Sequence, residues 1–154
     1  MKKILIILLI ISLQSCGYKS LIKESTDQVT FNKIEYKGDS KLNFLLKSKL
    51  NLKKSLASQN SILISTSSNL SSLDKSSTGE IISKDIVINS NISIYTNKKL
   101  EFSNSFSEKK TLKIGSNLSS NLDTIESAKS NLINNIANDI ELDIKFYEVR
   151  KSDN

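Results

Sequence analysis

The sequence predicts an α+β domain, one mainly antiparallel sheet of about four strands with two amphipathic helices on one face, in the order β-α-β-β-β-α. Two periodicities and a set of breakers predict it. Between Ile82 and Ile114, apolar residues recur on even positions through two consecutive segments, as in long strands with one buried and one wet face. Between Leu122 and Tyr147 they recur at spacings of three and four, which places them on one face of a helix. Gly38, Ser76-Ser77-Thr78-Gly79, Thr96-Asn97-Lys98-Lys99 and Gly115 separate the segments.

Taken in order, Val29 to Tyr36 mixes β-branched and aromatic residues with polar ones and predicts a first strand, ended by Gly38. Asp39 or Ser40 can cap a helix over Leu42 to Leu56, where Leu42, Leu45, Leu46, Leu50, Leu52 and Leu56 share a face opposite Lys47, Lys49, Lys53 and Lys54. Ile62-Leu63-Ile64-Ser65-Thr66 begins a second strand. A third carries Ile82, Ile86, Ile88, Ile92 and Ile94, and a fourth Leu100, Phe102, Phe106, Leu112 and Ile114. The closing helix, of roughly 25 residues, has Asp123 and Glu126 in its first turn and Lys145, Arg150 and Lys151 near its end, as the helix dipole prefers. It must bury its stripe, and the sheet is the surface available. The outer sheet face is left rich in Ser, Asn and Lys.

Composition narrows the chemistry. The 154 residues include 28 Ser, 16 Asn and 21 Lys but one Arg, no His, no Pro and no Trp, with a formal charge of +6. Without His there is no Ser-His-Asp triad, Cys-His dyad or imidazole metal ligand. A single Cys excludes an intramolecular disulfide, a CxxC pair and a thiolate zinc cluster. No phosphate-cradling glycine motif occurs, and the mild basic excess is not a nucleic-acid signature. Ser-x-x-Lys pairs occur at Ser20/Lys23, Ser72/Lys75 and Ser107/Lys110, about as often as this composition supplies by chance. The carboxylates lack calcium-loop spacing. The reading is a protein without catalytic residues, cofactor or metal.

The N-terminus has an address. Lys2 and Lys3 precede Ile4 to Leu13, an apolar run too short to span a bilayer and of the size of a signal-peptide core. Leu13-Gln14-Ser15-Cys16 resembles a bacterial lipobox, which implies cleavage before Cys16 and acylation of its thiol. Gly17 is not the Asp that commonly retains lipoproteins in the inner membrane, so the outer membrane, at its periplasmic face, is the expected site. The expected organisation is residues 1–15 as signal peptide, 16–28 as lipidated N-terminus and tether, 29–150 as one domain and 151–154 as a polar tail.

Cys16-Gly17-Tyr18-Lys19-Ser20-Leu21 resembles the Cys-Gly-aromatic-x-x-Leu start of the LPS-assembly lipoproteins of Gram-negative bacteria, the LptE family. The element order is also theirs, as is a closing amphipathic helix with alanines on its apolar face, here Ala128 and Ala137. The resemblance implies a non-catalytic lipoprotein that sits as a plug inside a large outer-membrane β-barrel (LptD-like) and assists lipopolysaccharide assembly. Lipopolysaccharide phosphates would then meet cationic loops. Lys98 and Lys99 on the predicted hairpin turn are the preferred pair, with Lys75, Lys109 and Lys110 as further candidates. The competing reading is a scaffold or lipid-binding lipoprotein of another envelope machine. A carrier would need an apolar pocket, whereas a plug would present polar faces.

Overall fold

The computed structural model describes residues 29–152. Cys16, the signal peptide and the tether lie outside them. The fold is the expected one, two helices on a four-stranded and mostly antiparallel sheet. The first predicted strand is two pieces, β1 (Thr30–Phe31) and β2 (Lys33–Gly38). They part at Asn32, whose N–H bonds the Asn60 carbonyl at 2.7 Å. Gly38, at φ +91°, turns the chain close against Thr66, where a Cβ would lie 2.0 Å from the carbonyl oxygen. Asp39 then caps α1 (Ser40–Lys49) by accepting from the Lys41 and Leu42 amides. Burial pushes the Asp39 carboxyl up, but these bonds and one from Ser68 outweigh it and hold the group below its ordinary range.

α1 ends at Lys49, not at Leu56 as the leucine spacing predicts. Leu50 is already extended, and Lys53–Lys54 forms β3, paired in parallel with β1. Leu50 is buried and Leu52 packs on the core from extended chain, while Leu56 is 91% exposed. A spacing of three and four accommodated both geometries; pairing with β1 decides for the extended one.

β2 pairs in parallel with β4 (Asn60–Lys75), and β4, β5 (Ile81–Thr96) and β6 (Lys99–Lys113) continue as antiparallel hairpins in the order β2-β4-β5-β6. The β5–β6 turn holds Asn97 and Lys98 at φ 50° and 67°, the two positive values that a tight hairpin turn requires. Register places Ile62 opposite Ile94, and Ile64 opposite Ile92. These side chains, with Ile86 and Ile88, are buried together with Leu132, Ile133, Ile136 and Ile140 of α2 (Leu118–Ser152).

Three details depart from expectation. A register shift at Ile94/Tyr95 pairs Leu100 with Tyr95 and leaves Leu100 exposed. Ile82 and Leu122 are also exposed; near that end of the sheet, Ser83 and Asp85 are buried instead. α2 has 35 residues, begins after Asn117, whose Oδ1 accepts the Ser120 amide, and has no acid in its first turn. Asp123 and Glu126 therefore sit further along than predicted.

Candidate functional site

β5 separates two ends of the molecule by about 50 Å, given its 16 residues and a rise of about 3.3 Å each. At one end lies the Asn97–Lys98 turn, at the other the loop of Ser76 to Glu80. The five candidate lysines divide between them. Lys98 and Lys99 occupy the first turn. Lys75 closes β4 beside the second, paired with Ile81. Lys109 and Lys110 lie opposite Val87 and Ile86, in the far half of the sheet. As adjacent strand residues they point to opposite faces.

Lys109 has a local task. Its Nζ is 2.6 Å from Asp85 Oδ2, and Thr111 Oγ1 donates to Asp85 Oδ1 at 2.6 Å. The Lys109 bond first, then that of Thr111, holds the Asp85 carboxyl below its usual range. Beside this group, Ser83 Oγ donates to Asp74 Oδ2 at 2.8 Å. The far half of the outer sheet face is thus a hydrogen-bonded polar cluster in which Lys109 already has an anionic partner.

The turn end is built differently. Lys98 borders an open cavity of about 640 Å³ shared with Lys33, Glu35, Gln59, Tyr95 and Asn97. Lys33 pairs with Glu35, whose carboxyl is held low by that bond and charge. Lys99 stands 3.5 Å from Glu101 Oε1. On the helix side of the same turn a second cleft of about 380 Å³ is lined by Thr96, Glu101, Phe102, Tyr147, Arg150 and Lys151. Arg150 stacks 5.4 Å from the Phe102 ring, and Lys151 lies 5.8 Å from the Tyr147 ring, with its Nζ 3.1 Å from Asn60 Oδ1. The sequence places Arg150 and Lys151 merely at a helix terminus and its tail. The fold carries α2 on to Ser152, which brings both against the strands that lead into the Lys98 turn. The signal that was available was the length of the apolar stripe, which points its C-terminal turn at that end of the sheet.

Of the two clefts flanking the turn, one is bordered by Lys33 and Lys98 and the other, on the helix side, by Arg150 and Lys151; the second suits an anion with an apolar neighbour, because aromatic faces and cationic groups lie together there. The sheet face near the turn adds hydroxyls, such as the Ser93–Ser103 pair at 3.3 Å. Among the described residues no helix is long and apolar enough to cross a membrane.

This architecture is that of known lipoproteins. Rare lipoprotein B from Shewanella oneidensis superposes with a TM-score of 0.63 at 14% identity, over 79% of this chain and 99% of that one. The fold is one that bacterial lipoproteins also have. A lipoprotein from Caulobacter crescentus CB15 gives a TM-score of 0.57 at 12% identity, covering 77% and 91% of the two chains. A minor lipoprotein from Acinetobacter baumannii gives 0.55 at 11%, covering 77% and 93%. No protein-family profile matches the sequence, and no curated protein does.

Proposed function

We propose that this chain is an outer-membrane lipoprotein, anchored through Cys16, that associates with a large β-barrel and assists lipopolysaccharide assembly without covalent chemistry. The observation that carries the reading is the fold, shared with bacterial lipoproteins over nearly their whole length. The lipobox-like Leu13-Gln14-Ser15-Cys16 and the Cys-Gly-aromatic start add to it. The turn end, with Lys98 and Lys99 on the turn and Arg150 and Lys151 in the cleft on its helix side, is the proposed contact for lipopolysaccharide phosphates, ahead of the end that holds Lys75. Lys109 belongs to the Asp85 cluster and contributes less.

Depleting the protein tests the reading. Surface lipopolysaccharide and the amount of correctly assembled barrel should both fall. Normal levels of both after complete depletion would favour a scaffold in another envelope machine. Cys16→Ala should block lipoprotein processing and move the protein out of the detergent phase. An intact mass showing an unmodified Cys16 in the wild type would refute the anchor. A lipid carrier is the less favoured alternative, because both clefts at the turn open at polar strand ends and are lined in part by charged groups.

A further inference from the structure

The outer line of α2 changes character part-way along. Thr124, Ser127, Asn131, Asn135 and Asn138 follow one another at spacings of three and four, and all are exposed. From Leu142 the same line is apolar. Leu142, Phe146 and Val149 fall within about 60° of arc at about 100° per residue, turned away from the buried row of Ile136 and Ile140. They are 45%, 50% and 44% exposed. Three such residues in one row, bordered by polar groups, form a contact surface.

The chain enters the fold beside this row. Val29 shares a cleft with Leu52, Glu141, Ile144, Lys145 and Glu148, on the flank of the same helical turns. Lys145 follows Leu142 by three residues and precedes Val149 by four, so it borders both the row and the cleft. Just ahead of Asn51, Lys47 and Lys49 stand exposed in the last turn of α1, a helix without an acid. Two of the nearby carboxylates are engaged within the fold: Glu141 accepts the Asn51 amide, and Asp143 accepts from Asn104. Glu148 stays on the cleft side, and Asp139 lies about one turn before Leu142.

We propose that Leu142, Phe146 and Val149 enter the interfacial layer of the phospholipid bilayer that holds the lipid anchor, with Lys145, Lys47 and Lys49 at the headgroup phosphates. This rests on the Cys16 anchor and not on the barrel or the lipopolysaccharide contact. A tether of 13 residues, from Cys16 to Gln28, keeps the Val29 corner at high local concentration near the membrane, so a small apolar row suffices. The Lys145 stem can lie along that row while its ammonium stays in water. An interfacial helix sinks its apolar face only about 5–10 Å into the headgroup boundary. The apolar part of the line occupies the last turns of α2, so Thr124 to Asn135 remain in water. The Ser- and Asn-rich sheet face lies in the opposite layer and stays open to a protein partner.

Purified full-length protein in vesicles of phosphatidylethanolamine and phosphatidylglycerol tests it. Asn138→Cys, about one turn before Leu142, and Ser71→Cys, exposed on the outer sheet face, each receive a thiol-directed fluorophore. Lipid carrying a quencher at the shallow end of its acyl chain should dim the Asn138 label by about half or more and spare the Ser71 label. Adding Leu142→Glu and Phe146→Glu should return the Asn138 label to the Ser71 level. The melting temperature and flotation with the vesicles should stay unchanged. An unquenched Asn138 label on protein that floats would overturn the proposal and leave the anchor standing. So would equal quenching at both positions, which indicates unspecific adsorption, or quenching that survives both Glu substitutions. Shielding of the Asn138 label from a water-soluble quencher in native membranes, without quenching by lipid, would assign the row to a protein and overturn it too. A parent chain that takes the fluorophore at Cys16 and fails to float would refute the anchor itself, and this inference with it.

Discussion

Gly38 and Gly79 both sit at positive φ, +91° and +85°, but in different surroundings, and the contrast makes a quantitative test of how β2 hands over to α1. Gly79→Ala meets no atom within 4 Å, so only the left-handed backbone strain remains, about 1–2 kcal/mol. Gly38→Ala carries the same strain and also drives a Cβ to 2.0 Å from the Thr66 carbonyl oxygen. Backbone must part by more than an ångström there. That breaks the bond from the Asp39 amide to Thr66 O at 3.0 Å and the one from Thr66 Oγ1 to Asp39 O at 3.3 Å. At about 1 kcal/mol each, the total for Gly38→Ala is about 3–4 kcal/mol, a large share of the roughly 5–15 kcal/mol that holds a domain folded. Urea unfolding of the full chain in detergent, followed by far-ultraviolet circular dichroism, reads the difference of about 2 kcal/mol as a midpoint roughly 0.7–2 M lower for Gly38→Ala than for Gly79→Ala, at unchanged slope. Equal losses for the two variants would refute the close approach of Gly38 to β4.

Ser90 is fully buried in the middle of β5, and its Oγ has no hydrogen-bond partner. Ser90→Ala should therefore raise stability by about 1 kcal/mol in the same unfolding assay; a loss of that size would show that the hydroxyl is satisfied. The lowered Asp85 carboxyl makes its cluster sensitive to acid. A depressed folded pKa adds stability above the unfolded value of about 3.9, and that stability is lost as pH falls through the folded pKa. Asp85→Asn should consequently lose less in melting temperature than the wild type when pH drops from about 5 to 2, although it is less stable at neutral pH; parallel curves would remove the linkage. Replacing Lys98 and Lys99 by Glu should weaken lipopolysaccharide binding at low salt without lowering the melting temperature, and added salt should narrow the gap. Unchanged binding, with loss in Lys75→Glu, would move the site to the opposite end.

The alternation of Ile86, Ile88, Ile92 and Ile94 was legible because a strand with one wet face has only one pattern available. The stripe through Ile133, Ile136 and Ile140 was legible for the same reason at helical period. Leu50, Leu52 and Leu56 misled because a leucine every few residues fits a helix and a folded-over extended segment alike, and only the distant Thr30–Phe31 decides between them. The bulge at Tyr95 left no residue-level mark; no Gly announces it, so Leu100 read as inward. The turn carrying Lys98 and Lys99 was visible from Asn97. Its companions Lys33, Arg150 and Lys151 were not, since they stand up to 118 positions apart in the chain and meet only through the parallel entry of β2 and the full length of α2.

The place where residue 29 joins the fold has a geometric consequence. Val29 borders Leu52, Glu141 and Ile144, and Thr30 O accepts from Ser58, so the chain arrives at the same end as Gln59, Asn97 and Lys98. Were Cys16 the anchor proposed above, the 13 residues from Cys16 to Gln28 could span at most about 45 Å at roughly 3.5 Å per residue. A protein moored there would keep its Lys98 end beside the bilayer that holds it. The Ser76–Gly79 loop would be free to swing some 50 Å further into the periplasm, like the far end of a short mast. Lengthening the leash by a flexible insert would loosen that orientation without touching a single contact in the fold, and would separate what the lysines do by chemistry from what they do by position.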